Sequence, residues 1–346
     1  MELFVMGLLY CSILFGMVRA YTLTDEQNLR TSLLTGYDSE LRPGTDRAFR
    51  LDINTSFYLF SINEFDLNTG KLTLTGFFDT KWFDERLSWN SASHNQTNKT
   101  TIPQNRLWLP NFVNINPFEE IKGLGNDLVR VRVSSSGICE WYALQALEVI
   151  CDADVSNFPF DTQYCTLKFF IWGYEPTEVK VNFMSANVIL TLYQENGVWD
   201  IVSSTTYTQV NFYGFEEIIV GFHLKRRTAY YVTSLILPIT SFSLLMGFVF
   251  VLPPESGERL GFSTTVLLSI VLYLTLIEGM LPEASEPNVS IIGHILVSYV
   301  VSGAIIVVFV ILSFKIQSCS RRKPVPRFIV SFFKCCFEEK GKVQYL

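Results

Sequence analysis

Past Arg227 the sequence turns into three apolar stretches, at about residues 229–252, 260–281 and 290–314, each long enough to cross the hydrocarbon core of a bilayer as a helix. Nothing else in the chain restricts its fold as much, because backbone inside lipid must satisfy its hydrogen bonds within its own segment. The chain is 49% hydrophobic and 17% charged over 346 residues, too apolar for an ordinary soluble enzyme of that length. Its net charge of -6 is mild, and no basic stripe appears outside Lys315 to Lys334, so nucleic acid has little to hold. With 3 histidines, no metal-ligand cluster, no nucleophile elbow and no glycine-rich phosphate loop, the sequence argues against an enzyme and implies neither metal nor cofactor.

The first twenty residues, MELFVMGLLYCSILFGMVRA, read as a secretory signal cut after Ala20, although a charged leading segment is missing. Secretion gives meaning to sequons at Asn54, Asn95 and Asn98 as glycosylation sites; a fourth at Asn288 lies too near the membrane segments to be favoured. Residues 91–101 are expected to be an exposed loop. From Leu51 to Leu224, short β-branched and aromatic runs such as KLTLTGFF and DLVRVRV alternate, split by turns at Asn68-Thr69-Gly70, Ser136-Gly137 and Asn196-Gly197. The expectation is an extracellular, immunoglobulin-like antiparallel β-sandwich over residues 21–227, preceded by a short helix from Thr24 to Leu34 capped by Thr24. A membrane-helix bundle over 228–315 and a cytoplasmic tail over 316–346 complete the plan, Arg321-Arg322-Lys323 obeying the positive-inside rule. In that tail Cys335 and Cys336 are either palmitoylation sites or plain thiols. Pro238 is expected to kink the first span, and Gly293 and Gly303 to thin the third.

The middle stretch, GERLGFSTTVLLSIVLYLTLIEGML, differs from its neighbours. As a helix it places Glu258, Gly261, Thr265, Leu268, Leu272 and Leu276 on one face, charged at one end, hydroxylated in the middle and aliphatic beyond. A pore lining reads this way: a carboxylate ring at Glu258 concentrates cations, hydroxyls replace part of a hydration shell, and a leucine ring gates by dewetting, with Glu278 at the outer mouth. The competing reading is a packing stripe whose hydroxyls bond their own backbone.

Five motifs then fall in one order: WFDERLSW from Trp82, WLPN from Trp108, CDADVSNFPFDTQYC from Cys151, RRTAYYVTSLILP from Arg226 and SGERLGFSTTVLLS from Ser256. In these the chain resembles the Cys-loop, or pentameric ligand-gated ion channel, receptors over about residues 24–316, on their nicotinic acetylcholine and serotonin-gated, cation-selective side. Anion-selective relatives carry Pro-Ala where Gly257-Glu258 stands. The resemblance implies a disulfide between Cys151 and Cys165, worth about 3 kcal/mol for a loop of this size. It also implies gating coupling through Phe158, Pro159, Phe160 and Asp161 at that loop's tip, with Asp66, Arg226 and the 281–290 linker that contains Pro282. Cys139 is left as a free thiol.

An aromatic box for a quaternary or protonated amine is implied between subunits, from Trp172, Phe215, Tyr207 and Tyr213 on one chain and Phe77 on its neighbour, with Glu140 and Tyr142 added to the ligand-binding set. Two departures stand out: Ile115 occupies the place of a box tyrosine, and the adjacent cysteine pair of acetylcholine-binding α-type subunits is missing. The expected protein is thus a plasma-membrane, multi-pass receptor subunit, its N-terminus outside, at a postsynaptic membrane. Its expected partners are four further identical or homologous subunits, a small-molecule agonist (acetylcholine or another amine), permeant monovalent cations with calcium as a further candidate, and the lipid bilayer. The family's fourth membrane helix has no counterpart, since FIVSFF is too short to span. An incomplete or short form of the sequence is the preferred explanation, loss of the helix the other. The alternative function is a non-conducting, modulatory or ligand-sequestering subunit; an adhesive sandwich on a membrane anchor would need only one span.

Overall fold

The computed structural model describes residues 22–253, 258–279 and 290–320, with side chains described as far as residue 316. The expected signal at 1–20, Gly257, Pro282 and its linker, Asn288, Arg321-Arg322-Lys323, FIVSFF, Cys335 and Cys336 lie outside these residues. The chain forms two compact units, one from the residues up to Ala153 together with Thr162–Arg226, the other from Asp154–Asp161 and the chain after Arg226.

The first unit is a β-sandwich. Its six-stranded sheet has the order β3-β5-β6-β2-β1-β8 and its four-stranded sheet β4-β7-β10-β9. The strands are β1 (Leu51–Asp66), β2 (Lys71–Ser88), β3 (Lys99–Pro103), β4 (Phe112–Asn114), β5 (Arg130–Ser134), β6 (Ser136–Ile150), β7 (Thr162–Ile171), β8 (Val179–Phe183), β9 (Trp199–Val210) and β10 (Glu216–Arg226). Pairing is antiparallel as expected, except that β8 runs parallel to the start of β1. Strand β2 shows why: Leu72, Leu74, Phe78 and Trp82 point into the core while Lys71, Phe77 and Lys81 point out. Phe57, Phe78, Phe112, Phe169 and Phe222 fill the space between the sheets, and Phe78 meets Phe57 and Phe169 edge-on at 4.8 and 5.1 Å between centroids. Each such burial contributes about 1.5–3 kcal/mol. Gly76 is needed where two strands approach closely, because a Cβ there would lie 2.6 Å from the Tyr58 carbonyl oxygen and 2.8 Å from the Phe57 ring.

Two local expectations need correction. Helix α1 runs over Leu23–Leu34 and is capped by Thr22, not Thr24, because the Asp25 carboxylate reaches back to accept from the Thr22 backbone N–H while the Thr22 hydroxyl accepts from Asp25 N–H. The stretch 91–101 is not one loop: a 3₁₀ turn at Ser91–His94 leads into β3, where Thr100 pairs with Val133 and is buried. Asn54 and Asn98 are exposed and Asn95 half-buried, with Asn95 in left-handed backbone at φ 50°.

The tryptophan-rich β2 motif is organised around a fully buried carboxylate. Asp84 accepts from the Tyr37 hydroxyl at 2.7 Å and from Arg86 Nε and Nη2 at 2.9 and 2.8 Å, and the guanidinium stacks on the Tyr37 ring. Tyr37 is held protonated well above its ordinary range, first by burial and then by the Asp84 charge. Cys139 is a buried free thiol on β6, pushed upward in pKa by that burial.

The second unit contains three helices long and apolar enough to cross a membrane: α2 (Ala229–Phe248), α3 (Glu258–Glu278) and α4 (Ile291–Ser320, apolar over Ile291–Ile316). In α2 a π-helical segment, Val232–Ile236, ends two residues before Pro238, whose missing N–H interrupts the regular ladder. Met246, Val266 and Ile270 form the packed centre of the three helices, and Gly303 lets Leu267 and Met246 approach α4.

Candidate ligand, pore and coupling surfaces

The box residues divide between the two sheets. On the outer face of the six-stranded sheet, Phe77 on β2 stacks on Tyr58 of β1 with centroids 4.7 Å apart and planes 4° apart. Phe60 lies 5.5 Å from the same ring, and Tyr142 on β6 meets it edge-on at 5.9 Å. The Phe60, Phe77 and Tyr142 rings, with Leu128, Arg130 and Leu144, line a surface pocket of about 430 Å³. Glu140 lies one outward position beyond Tyr142 on β6, facing Lys81 and Arg132 at 3.8 Å.

A second aromatic group stands on the four-stranded sheet. Trp172 follows directly on β7 and is 62% exposed, its backbone N–H held by the Asn111 carbonyl. Its ring lies 5.3 Å from Phe170, which lies 6.1 Å from Phe215. Tyr213 tips the exposed β9–β10 turn, where Asn211 Oδ1 accepts from the backbone N–H groups of Tyr213 and Phe215. Tyr207 faces outward on β9 beside Tyr164, whose ring lies 4.5 Å from that of His223 with the planes tilted by 31°. Burial, and then the neighbouring Tyr164, raise the Tyr207 pKa.

The structure thus brings Phe77 together with Tyr142, and Trp172 with Phe215, but not the two groups with each other. They lie on different sheets of one sandwich, so a complete box needs a second chain. Ile115 is half-buried, tied by its N–H to the Lys168 carbonyl, and adds no ring. Tyr58, Phe60, Phe170 and Tyr164 were not among the expected residues. The alternation in SFYLF, with Phe57 and Leu59 inward, is the signal that marks Tyr58 and Phe60 as outward.

Cys151 and Cys165 form a disulfide with Cα atoms 5.2 Å apart, joining the end of β6 in one sheet to β7 in the other. Between them, residues 154–161 pack with the helices. Phe158 and Pro159, joined by a cis peptide, and Phe160 line an apolar cavity of about 440 Å³ with Ile239 of α2 and Ile295 and Tyr299 of α4. The Phe158 ring meets Tyr231 of α2 edge-on at 5.4 Å, and the Ile291 N–H donates to the Ser156 carbonyl at 3.0 Å. Asp161 is buried. Asp66 ends β1 at the turn into β2, its carboxyl held below the usual range by the Thr69 hydroxyl and the Asn68 and Thr69 N–H groups. Arg226, buried at the end of β10, stacks its guanidinium 4.2 Å from the Trp199 ring.

On α3 the expected stripe is one face. Glu258, Gly261, Thr265, Leu268, Leu272 and Leu276 share it and are exposed, and Glu278, exposed too, lies on another side of the helix, while Ser263, Val266, Ile270 and Ile277 are buried against the other helices. Thr265 donates its hydroxyl proton to the Gly261 carbonyl at 2.8 Å. That is the backbone bond of the packing reading, yet it leaves the oxygen lone pairs outward, an acceptor suited to a cation.

A family model described as the neurotransmitter-gated ion-channel ligand binding domain matches residues 26–228, and one described as the neurotransmitter-gated ion-channel transmembrane region matches residues 235–335. Neuronal acetylcholine receptor subunit beta-3 of Rattus norvegicus is 30% identical over 294 residues, covering 83% of this chain and 62% of the relative. Subunit beta-4 of Rattus norvegicus and that of Mus musculus are each 30% identical over 327 residues, 91% of this chain and 63% of the relative. The chain therefore spans about three-fifths of the length of these curated relatives. The two models match in the order of the two structural units, and on that evidence the chain belongs to the neurotransmitter-gated ion channels, the Cys-loop receptors, and is nicotinic-like among them.

Proposed function

We propose that this chain is a subunit of a cation-selective, neurotransmitter-gated channel, assembled with four further identical or homologous subunits in the plasma membrane. Residues 21–227 form its extracellular ligand-binding domain, 228–315 its membrane region and 316–346 its cytoplasmic tail. The observation that carries the reading is the exposed face of α3, where Glu258, Thr265 and the leucines at 268, 272 and 276 stand in the order that concentrates, solvates and gates a cation.

The agonist, acetylcholine or another amine, sits between the Trp172 group of one copy and the Phe77 group of the next. An amine cation over such rings gains up to about 2 kcal/mol when desolvated. Binding favours one of two states, and the bias passes through Phe158 and its loop, Asp66, Arg226 and the linker containing Pro282 to turn the leucine rings aside. A ligand with equal affinity for both states would open nothing.

Voltage clamp on cells expressing the chain, with surface labelling, an amine panel and sodium replaced by an impermeant cation, tests this. Agonist-evoked current that disappears with sodium is the expected result. Surface protein without current under any ligand would overturn it in favour of a silent or ligand-sequestering subunit.

A further inference from the structure

The outer face around Phe77 carries a carboxylate that neither the fold nor the aromatic box explains. Asp79 stands two residues along β2 from Phe77, so both side chains leave the same face, and it pairs across to Tyr142 on β6 and to Ser56 on β1. Its side chain is 16% exposed and its Oδ1 is buried with no hydrogen-bond partner. Among the described residues its ion-pair partner is Lys81, at 3.7 Å from Oδ2, a charge shared with Glu140 at 3.8 Å. Lys81 is about half exposed, so its charge is screened by water more than the Asp79 charge it faces, and Arg132 pairs with Glu140 instead. A carboxylate largely taken out of water, with one oxygen turned inward and its one ion pair shared, is costly to keep, and a cation arriving on this face would offset that cost.

The position of Asp79 says what that partner is. The Tyr58, Phe60, Phe77 and Tyr142 rings offer π-faces to any cation, with or without N–H groups. A carboxylate at their edge discriminates further. It accepts a charge-assisted hydrogen bond from a protonated primary amine or a guanidinium, and rotation of the carboxyl group turns either oxygen outward. A quaternary ammonium has no N–H to donate and spreads its charge over methyl groups. We infer that this face selects cations bearing N–H donors over quaternary ammonium ions, with Asp79 as the residue that sets the preference. The inference rests on the reading of the Phe77 face as one wall of the agonist site. It narrows the agonist class from amines in general to protonated amines.

The test uses the purified full chain and the rise in melting temperature that tyramine, tryptamine and their N,N,N-trimethyl counterparts produce. In the native chain the primary amines are expected to bind at least about tenfold more tightly than their trimethyl partners, the scale of one charge-assisted hydrogen bond. Asp79→Asn keeps the shape and removes a poorly solvated charge, so folding is retained. It is expected to abolish the preference by weakening the primary amines, leaving the quaternary ions within about threefold, and Asp79→Glu is expected to restore part of it. Equal affinities in the native chain, or a preference that survives Asp79→Asn, would overturn the inference and leave Asp79 a buried charge with no ligand. Phe77→Ala and Trp172→Ala separate the two levels. If they abolish binding while Asp79→Asn leaves the preference intact, only the Asp79 assignment fails. If they change nothing, or if none of the four probes binds, the interface site itself is rejected and the inference with it.

Discussion

Phe158, inside the disulfide loop, meets the ring of Tyr231 on α2 edge-on, with centroids 5.4 Å apart. The pair ties the loop tip to the first membrane helix through a contact whose geometric part is worth about 0.5–1.5 kcal/mol. Phe158→Ala and Tyr231→Ala are each expected to shift the agonist concentration for half-maximal current by up to about tenfold. Agonist binding measured on the closed receptor should stay within experimental error, and the double variant should shift no further than the larger single one. Fully additive shifts would mean that the rings act separately.

The division of the aromatic groups between two sheets yields a complementation experiment. Trp172→Ala and Phe77→Ala, expressed singly, are each expected to abolish agonist response. Expressed together, they should recover a fraction of the current, because a Phe77→Ala chain still lends its Trp172 group to a neighbour whose own Phe77 group is intact. A mixture as silent as either variant would show that the two groups do not meet across subunits.

In the pore, Glu258→Ala is expected to weaken cation preference, read as a shift of reversal potential under ion substitution. Leu268→Ser should raise resting current without ligand, since a hydroxyl-bearing ring is wetted more easily than a leucine ring. An unchanged reversal potential, or a silent Leu268→Ser receptor at the cell surface, would remove those residues from their roles.

Asp84 is a stability prediction independent of channel function. Asp84→Ala strips Arg86 and Tyr37 of their buried partner and should cost about 3–5 kcal/mol, the usual consequence of breaking a buried pair from one side. Thermal melting of the full chain, with Asp84→Asn as the milder comparison, checks it; a loss below about 1 kcal/mol would mean that water replaces the carboxylate.

How far this was legible in the sequence differs from site to site. The α3 stripe could be read directly, because a period of 3.6 over apolar helix leaves one choice of face. The Cys151–Cys165 pair and Trp172 could be placed only through a family's motif order, since no local rule says which cysteines pair. Tyr58, Phe60 and Asp79 were missed for a different reason. In NTSFYLF the alternation turns Tyr58 and Phe60 outward, but only register against β2 sets Tyr58 opposite Phe77 and Ser56 opposite Asp79. The α1 cap was ambiguous in the same way: Thr24 with Gln27 fits the capping-box spacing as well as Thr22 with Asp25, and only the reciprocal hydrogen bonds of Thr22 and Asp25 settle it. The start of β3 and the parallel β1–β8 edge depend on residues far along the chain, which periodicity cannot see.

Asn54 shares the outer face of the six-stranded sheet with Phe77, four residues and so about 13 Å along β1 from Tyr58, the residue paired with that ring. A branched sugar rooted there and a neighbouring protein surface would compete for the same few hundred square ångströms. If the Phe77 face is closed by a neighbour, the sequon at Asn54 should be found bare in assembled receptors while Asn98 carries its sugar. Site occupancy measured by peptide mapping would then record whether a given copy had joined a ring with that side covered, a history of assembly written in carbohydrate.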